Sequence, residues 1–95
     1  MANVQVIWDL EDDPEGNLQH VAEHDVMTDE VEEVLENHFN EAVASARSGN
    51  PIAFGWTSTG KYLAVVFEKV QAAPPVAYPI TAYPVNPPRK KRRKK

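Results

Sequence analysis

Residues 52–69 read IAFGWTSTGKYLAVVFEK, two apolar runs on either side of four residues with turn composition. The runs, Ile52 to Thr57 and Tyr62 to Lys69, are rich in β-branched and aromatic side chains, which favour strands. The connection, Ser58 to Lys61, contains a glycine and has the length of a hairpin turn. This stretch therefore predicts two neighbouring antiparallel strands.

The sequence on both sides extends this hairpin into a meander. Glu41 to Ser45 has strand-like composition, and Ser48-Gly49-Asn50-Pro51 supplies a turn before the hairpin. A looser loop, Gln71 to Pro75, precedes a fourth run from Val76 to Ala82. Pro79 in that run predicts an edge position or a bulge, because proline cannot donate to a strand ladder. We expect about four antiparallel strands in this half of the chain.

The N-terminal part begins with a strand pattern and a first helix pattern. Asn3 to Trp8 alternates polar and apolar residues before it becomes fully apolar, as expected for a strand with one buried face. Asp13-Pro14-Glu15 then provides a cap, a proline suited to the first helical position and an acid that favours the helix dipole. A helix is predicted from about Pro14 to Glu23.

A second helix is predicted from about Asp29 to His38. Thr28 is its expected cap, and Val31, Val34 and Leu35 share one face. The resulting order, β-α-α-β-β-β-β, predicts an α+β domain in which two helices pack on a mostly antiparallel sheet of about four to five strands.

Length and composition indicate one domain. The chain has 95 residues, 42% of them apolar, and no cysteine, which excludes disulfides and thiolate metal sites. No run approaches the roughly 20 apolar residues that cross a bilayer. Met1 to Asp13 lacks the basic start and the apolar core of a signal peptide. We expect a cytoplasmic protein with no membrane contact and no cofactor.

The charge is divided sharply along the chain. Residues 1–88 contain 14 acidic and three basic side chains, a formal charge of −11, although the whole chain carries only −4. The difference lies in seven consecutive basic residues: Arg89, Lys90, Lys91, Arg92, Arg93, Lys94 and Lys95. We predict a folded domain over residues 1–85 and a disordered proline-then-basic tail over 86–95. The tail is expected to attract nucleic acid, with pairing to acidic helices and a solubility function as the alternatives.

Several short segments resemble, in order, the BrnT family of toxins. Asp13-Pro14-Glu15 and His20 to Val26 are similar to that family's Asp-Pro-Glu and Asn-x-x-Lys-His-Gly-Val. Thr57 to Phe67 looks like its Ser-x-x-Gly-Arg hairpin and apolar strand, and Ile80 to Tyr83 stands where it has Ile-Ser-Ala-Arg. The resemblance covers about residues 4–83. It implies a RelE-like fold, a ribosome-independent RNA-cleaving activity and an antitoxin-like protein as the partner.

The chain departs from that family pattern at three basic positions. Glu23 replaces a lysine, Lys61 an arginine and Tyr83 another arginine. RNA cleavage by internal transfer needs a general base, a general acid and cations for the phosphorane charge. If activity is kept, we expect Lys61 to stabilise phosphate charge, His24 to act as general acid or base and Tyr83 to orient the substrate. The alternative is a non-catalytic module that binds protein or nucleic acid.

Other patterns have weaker functional interpretations. His20-Val21-Ala22-Glu23-His24 matches a zinc-protease pattern, although no third ligand is assigned. The acidic residues Glu32, Glu33 and Glu36 are expected to form a solvated helix face, with docking of a basic partner as the alternative. Trp8, Phe54, Trp56 and Phe67 are assigned to the core or the sheet face, with Trp56 the most exposed of them.

Overall fold

The computed structural model describes residues 4–46 and 49–87. Its elements are β1 (Gln5–Val6), α1 (Asn17–Ala22), α2 (Thr28–His38), a 3₁₀ helix (Phe39–Glu41), β2 (Val43–Ala44), β3 (Pro51–Trp56), β4 (Tyr62–Ala72) and β5 (Pro75–Pro84). The strands form one sheet in the order β1-β5-β4-β3-β2, parallel only between β1 and β5. The predicted α+β class, with two helices and a mostly antiparallel sheet, is confirmed.

The core lies between the two helices and one face of the sheet. Alternate residues of β4 point into it, because successive strand side chains face opposite ways. The buried cluster joins these residues to the apolar face of α2 and to β5: Val31, Val34, Leu35, Phe39, Leu63, Val65, Phe67, Ala77 and Ala82. Burial of this apolar face stabilises both layers, at roughly 25 cal/mol per Å² removed from water.

Helix α1 begins later than the sequence predicts. Pro14 lies in a turn, in which the Gly16 N–H bonds to the Asp13 carbonyl at 3.0 Å. The helix starts at the buried Asn17, whose backbone N–H bonds to Asp9 Oδ2 at 2.9 Å and whose side chain donates to the Pro79 carbonyl at 2.8 Å. Contacts from distant segments set this helix start, so the predicted Pro14 start is wrong.

The second helix starts one residue earlier than predicted. Thr28 is the first residue of α2 rather than a side-chain cap. The side chain of Glu30 turns back and accepts the Met27 N–H at 2.9 Å. The acid three residues into the helix therefore satisfies a backbone donor that the helix itself leaves unpaired.

Strands β4 and β5 are longer than predicted. They continue to a tight connection at Ala73 and Pro74, so the loose loop expected over residues 71–75 is not present. The Gln71 side chain donates to the Pro74 carbonyl at 3.0 Å and closes this turn. The predicted bulge at Pro79 is confirmed, because the register shifts where Val66 pairs with Thr81 and the next residue of β4 pairs with Pro79.

β3 crosses α2 at very short range. A Cβ atom built on Gly55 would lie 2.4 Å from Cδ2 of His38. Only glycine fits there without displacing the imidazole, so β3 places its small residues Ala53 and Gly55 toward the helices. The larger side chains of β3 consequently point away from the core.

Among the described helices, none is long and apolar enough to cross a membrane.

Candidate functional site

The three predicted site residues meet at one corner of the fold, which we call the hairpin corner. It is formed by the segment after α1, the β3–β4 hairpin and the end of β5. The rings of His24 and Tyr83 are in contact, with centroids 5.9 Å apart and planes tilted by 58°. Lys61 Nζ donates to the carbonyl of Asp25, the residue after His24, at 2.6 Å.

The ammonium group of Lys61 forms an ion pair within the protein. It lies 3.1 Å from Oε1 of Glu30, a carboxylate with only 3% of its surface exposed. Burial would raise the pKa of Glu30, but hydrogen bonds from the Met27 N–H, Thr59 and Lys61 outweigh it and hold that pKa below its usual value. Lys61 thus compensates a buried charge.

Threonine hydroxyls complete the hairpin corner. The Lys61 N–H donates to Thr57 Oγ1 at 3.0 Å, and the Thr57 and Thr59 hydroxyls lie 2.7 Å apart. Thr59 Oγ1 donates in turn to Oε2 of Glu30. This chain of donors connects the turn of the hairpin to the first turn of α2, so the lysine and its hairpin are held in one position.

Two further glutamates on α2 are structural. Glu33 accepts the Ser58 N–H at 2.9 Å, and Glu32 accepts the indole N–H of Trp8 at 2.8 Å. Glu36 is exposed, whereas Glu32 and Glu33 are half-buried and accept internal hydrogen bonds, which the sequence did not predict. Their partners lie 24 and 25 residues away, beyond the reach of any local pattern.

The zinc-protease interpretation is not supported. α1 ends at Ala22, so His24 lies beyond the helix and does not share a helical face with His20. Within residues 4–46 and 49–87, no group of three or more His, Asp or Glu side chains is arranged to hold a metal ion.

A side-chain hydrogen bond between Tyr78 of β5 and Asp9 was not predicted from the sequence. The Tyr78 Oη donates to Asp9 Oδ2 at 2.5 Å. This bond, together with the Asn17 N–H, lowers the pKa of Asp9, and it raises the pKa of Tyr78. The pair joins the segment after β1 to β5 and α1, which is a structural function.

The face of the sheet opposite the helices, which we call the open face, is aromatic. Strand register places on it, among others, Val43, Ile52, Phe54, Trp56, Tyr62, Ala64, Val66, Glu68, Thr81 and Tyr83. Phe54 and Trp56 are 40% and 56% exposed. The prediction that Trp56 is partly exposed is confirmed.

Three aromatic rings on the open face contact one another. Phe54 stacks on Tyr62 with centroids 6.4 Å apart and planes 15° apart, and Trp56 lies 5.2 Å from Tyr62. A cavity of about 340 Å³ adjoins them, lined by Phe54, Tyr62, Val85 and Asn86. Phe54 and Trp56 were predicted in the core or on the sheet face, and they lie on the sheet face. The alternation of small and aromatic residues along β3 is the sequence signal that separates the two faces of this strand.

The predicted nucleic-acid-binding residues Arg89, Lys90, Lys91, Arg92, Arg93, Lys94 and Lys95 lie outside the described residues. Comparison of the chain with protein families, with curated proteins and with solved structures gave no match.

Proposed function

We propose that the protein is a non-catalytic binding module that keeps a BrnT-like toxin fold without the ribonuclease chemistry. The observation that carries this proposal is the ion pair of Lys61 with the buried carboxylate of Glu30. Of the three positions where the family pattern has a lysine or arginine, position 61 alone holds a cation here, and that charge is already compensated inside the protein.

Recruiting Lys61 to an RNA phosphate would leave Glu30 without its cation. Removing one partner of a buried ion pair costs about 3–5 kcal/mol, which would have to come from substrate binding. The two other positions where the family pattern has cations hold Glu23 and Tyr83. The carboxylate of Glu23 would repel the phosphate. The negative charge of the phosphorane transition state would therefore find few cations at the hairpin corner.

Two observations support the toxin-like fold. The order of the helices and strands agrees with the positions of the resembling segments. In addition, Asp25 adopts a φ of 61°, in the left-handed region that favours glycine, and the family pattern has glycine at this position. The Asp25 carbonyl accepts a hydrogen bond from the Lys61 ammonium, so this left-handed residue is part of the hairpin corner.

An endoribonuclease toxin, masked by an antitoxin-like protein in the cytoplasm, is the second candidate. The ring contact between His24 and Tyr83, with Lys61 bonded one residue away, favours it. In this candidate the imidazole of His24 acts as general acid or base, the ammonium of Lys61 stabilises phosphate charge, and the phenol of Tyr83 orients the substrate.

Expression of the full chain without a partner separates the two candidates. For the binding module we expect normal growth and intact total RNA on a gel. Growth arrest that is lost in His24→Ala and Lys61→Ala but kept in His20→Ala would replace it with the toxin. His20→Ala is the matched control, because His20 lies on α1, outside the hairpin corner.

A variant that restores the family's basic residues sharpens this test. The triple substitution Glu23→Lys, Lys61→Arg and Tyr83→Arg returns the cations that phosphate chemistry requires. If the fold is toxin-like, we expect RNA cleavage to appear in the triple variant and to depend on His24. Intact RNA with a folded triple variant would count against the toxin kinship itself.

A further inference from the structure

We propose that two copies of the chain associate by antiparallel pairing of β3 with its counterpart, so that their sheets join edge to edge. The contact surface consists of the outward backbone groups of residues 54–56, which we call the β3 edge. The inference goes beyond the proposed function and does not depend on it, because strand pairing uses backbone groups and needs no catalytic side chain.

The backbone groups of Phe54 and Trp56 point away from β4. In an antiparallel ladder, successive residues of a strand direct their N–H and C=O groups to opposite sides. The Thr57 N–H bonds to the Lys61 carbonyl at 2.8 Å, so Thr57 faces β4, and Gly55, two residues earlier, does the same. Phe54 and Trp56 therefore direct their backbone groups to the outer side of β3.

Strand β2 covers the outer side of β3 only at its beginning. The ladder pairs Val43 with Ile52 and stops there, because the chain just before β2 forms the 3₁₀ helix Phe39–Glu41. Within residues 4–46 and 49–87, no hydrogen bond reaches the outward backbone groups of Phe54 and Trp56. These groups have the spacing that an added strand requires.

The β3 edge lacks the features by which proteins prevent strand pairing. Such features are prolines, charged side chains and bulges. The outer side of β5 has prolines, and the Asn17 side chain donates to the Pro79 carbonyl there. Residues 54–56 are Phe-Gly-Trp, and β3 pairs with β4 from Ile52 to Trp56 without a register shift. This part of the sheet is therefore open to a further strand.

The length of the β3 edge favours a second copy as the partner. β2 limits the edge at Ile52 and the hairpin turn limits it at Ser58, so a longer strand would run against β2. Pairing Phe54 with Trp56 of the second copy places a two-fold axis beside Gly55 and fits this length. Each β2 then lies next to the other copy's hairpin turn, where the chain already bends back toward β4.

The side chains of this register are compatible with pairing. Phe54 of each copy lies opposite Trp56 of the other on the open face, and aromatic pairs of this kind stabilise antiparallel strands. The two residues of such a pair exchange both N–H···O bonds. Gly55 meets its counterpart at the axis, and glycine places no side chain between the strands.

The charges near the β3 edge do not oppose the contact. Neither residues 54–56 nor the residues of β4 that pair with them carry a charged side chain. Glu68, the acid on the open face, lies beyond the Pro51 end of β3. Glu41, which precedes β2, is bonded to Nδ1 of His38 at 2.8 Å. The acidic side chains of the two copies are thus kept out of the strand pair.

Amide hydrogen exchange measured by NMR at increasing protein concentration tests the backbone contact in the unchanged chain. The amides of Phe54 and Trp56 should become protected as sedimentation shows the dimer forming, by mass action. The Gly55 amide, which faces β4, is the matched control and should be protected at every concentration. A monomer at all concentrations, or a dimer in which the amides of Phe54 and Trp56 exchange freely, would overturn the inference.

A proline variant separates the backbone bonds from the aromatic contacts. Trp56→Ala should weaken dimerisation about 2- to 30-fold, because it removes an aromatic pair at both symmetric positions. Trp56→Pro also removes the outward N–H of both copies and should weaken dimerisation a further 5- to 150-fold or so. Circular dichroism confirms the fold of the proline variant, which an unpaired edge position tolerates. Equal dimerisation of the two folded variants would exclude strand pairing.

Charge exchange tests the register. Phe54→Lys with Trp56→Glu places opposite charges across the strand pair, whereas Phe54→Lys with Trp56→Lys places like charges there. The first variant should dimerise about tenfold or more tightly than the second. Overall charge predicts the reverse order, because the second variant reduces the net charge of −4. That reverse order would show that the copies meet elsewhere. The proposed function fails separately, when an RNA strand incubated with the protein is cut.

Discussion

The hairpin corner and the open face use their side chains in opposite ways. At the hairpin corner, the titratable and hydroxyl groups that look chemical are bonded to one another, as Lys61, Glu30 and Thr59 are. On the open face, Phe54 and Trp56, residues of a kind that usually stabilises a core, are left exposed to solvent. Residue type alone therefore misidentifies the available surface, because the fold decides which groups remain free to bind.

The difference has a common origin in the position of α2. Its first two turns supply Glu30 and Glu33, which hold the β3–β4 hairpin through Lys61 and Ser58. Its last turn supplies His38, which occupies the space beside Gly55. One helix thus binds the lysine at one end and directs the aromatic rings outward at the other.

The largest expected effect comes from breaking the buried pair. Lys61→Met should lower the free energy of unfolding by about 3 kcal/mol, because Glu30 would keep its buried charge without a cation. Urea denaturation measures this change. Lys69→Met is the control; its ammonium lies 5.1 Å from the Phe39 ring centroid, an interaction of about 0.5–1 kcal/mol. Equal losses in both variants would show that Lys61 is not a structural cation.

A smaller effect of the same pair should follow from pH. The folded state holds the pKa of Glu30 below its ordinary value of 4.5, so this carboxylate contributes full stability above that value. The contribution is lost as pH falls through the folded-state pKa. Thermal melting between about pH 5 and pH 3 should therefore show a steeper decline in the unchanged chain than in Glu30→Gln. Parallel declines would mean that other carboxylates, such as Asp9, account for the acid sensitivity.

Local patterns predicted most of the fold. The β3–β4 hairpin and α2 depend on alternation, turn residues and helical periodicity, which are all readable over a few residues. The start of α1 depends instead on Asn17 and its bond to the Pro79 carbonyl, 62 residues away. No local pattern encodes that contact, so the local sequence pattern predicted the start of α1 at Pro14 instead of Asn17.

His24, Lys61 and Tyr83 lie close together, but the internal partner of Lys61 was not predicted. The resemblance selected His24, Lys61 and Tyr83, and the three lie at one corner. The partner of Lys61 is Glu30, 31 residues earlier, and no local pattern links the two residues. The open face could have been suspected from the small residues that alternate with aromatic ones in β3. Which set faces the helices depends on His38, a tertiary contact.

Backbone strain at the hairpin corner provides a third test. Asp25 has a φ of 61°, and glycine adopts this conformation without the steric cost of a Cβ atom. Asp25→Gly should raise the free energy of unfolding by about 0.5–1 kcal/mol, because the carbonyl that accepts Lys61 is unchanged. Gly60→Ala, at a φ of 94°, should have the opposite sign. Destabilisation by Asp25→Gly would mean that the Asp25 side chain contributes to the corner.

The smallest effect is expected on the open face. Val43 is 57% exposed and pairs with Ile52 at the margin of the aromatic patch, whereas Val34 of α2 is fully buried. Val43→Thr should change the free energy of unfolding by no more than about 0.5 kcal/mol, as exposed positions usually do. Val34→Thr, the same chemical change, should cost about 1–3 kcal/mol, because a hydroxyl would be buried without an assured partner. If the two substitutions cost the same, the open face is covered in solution, and a melting temperature that rises with protein concentration would identify a second copy as the cover.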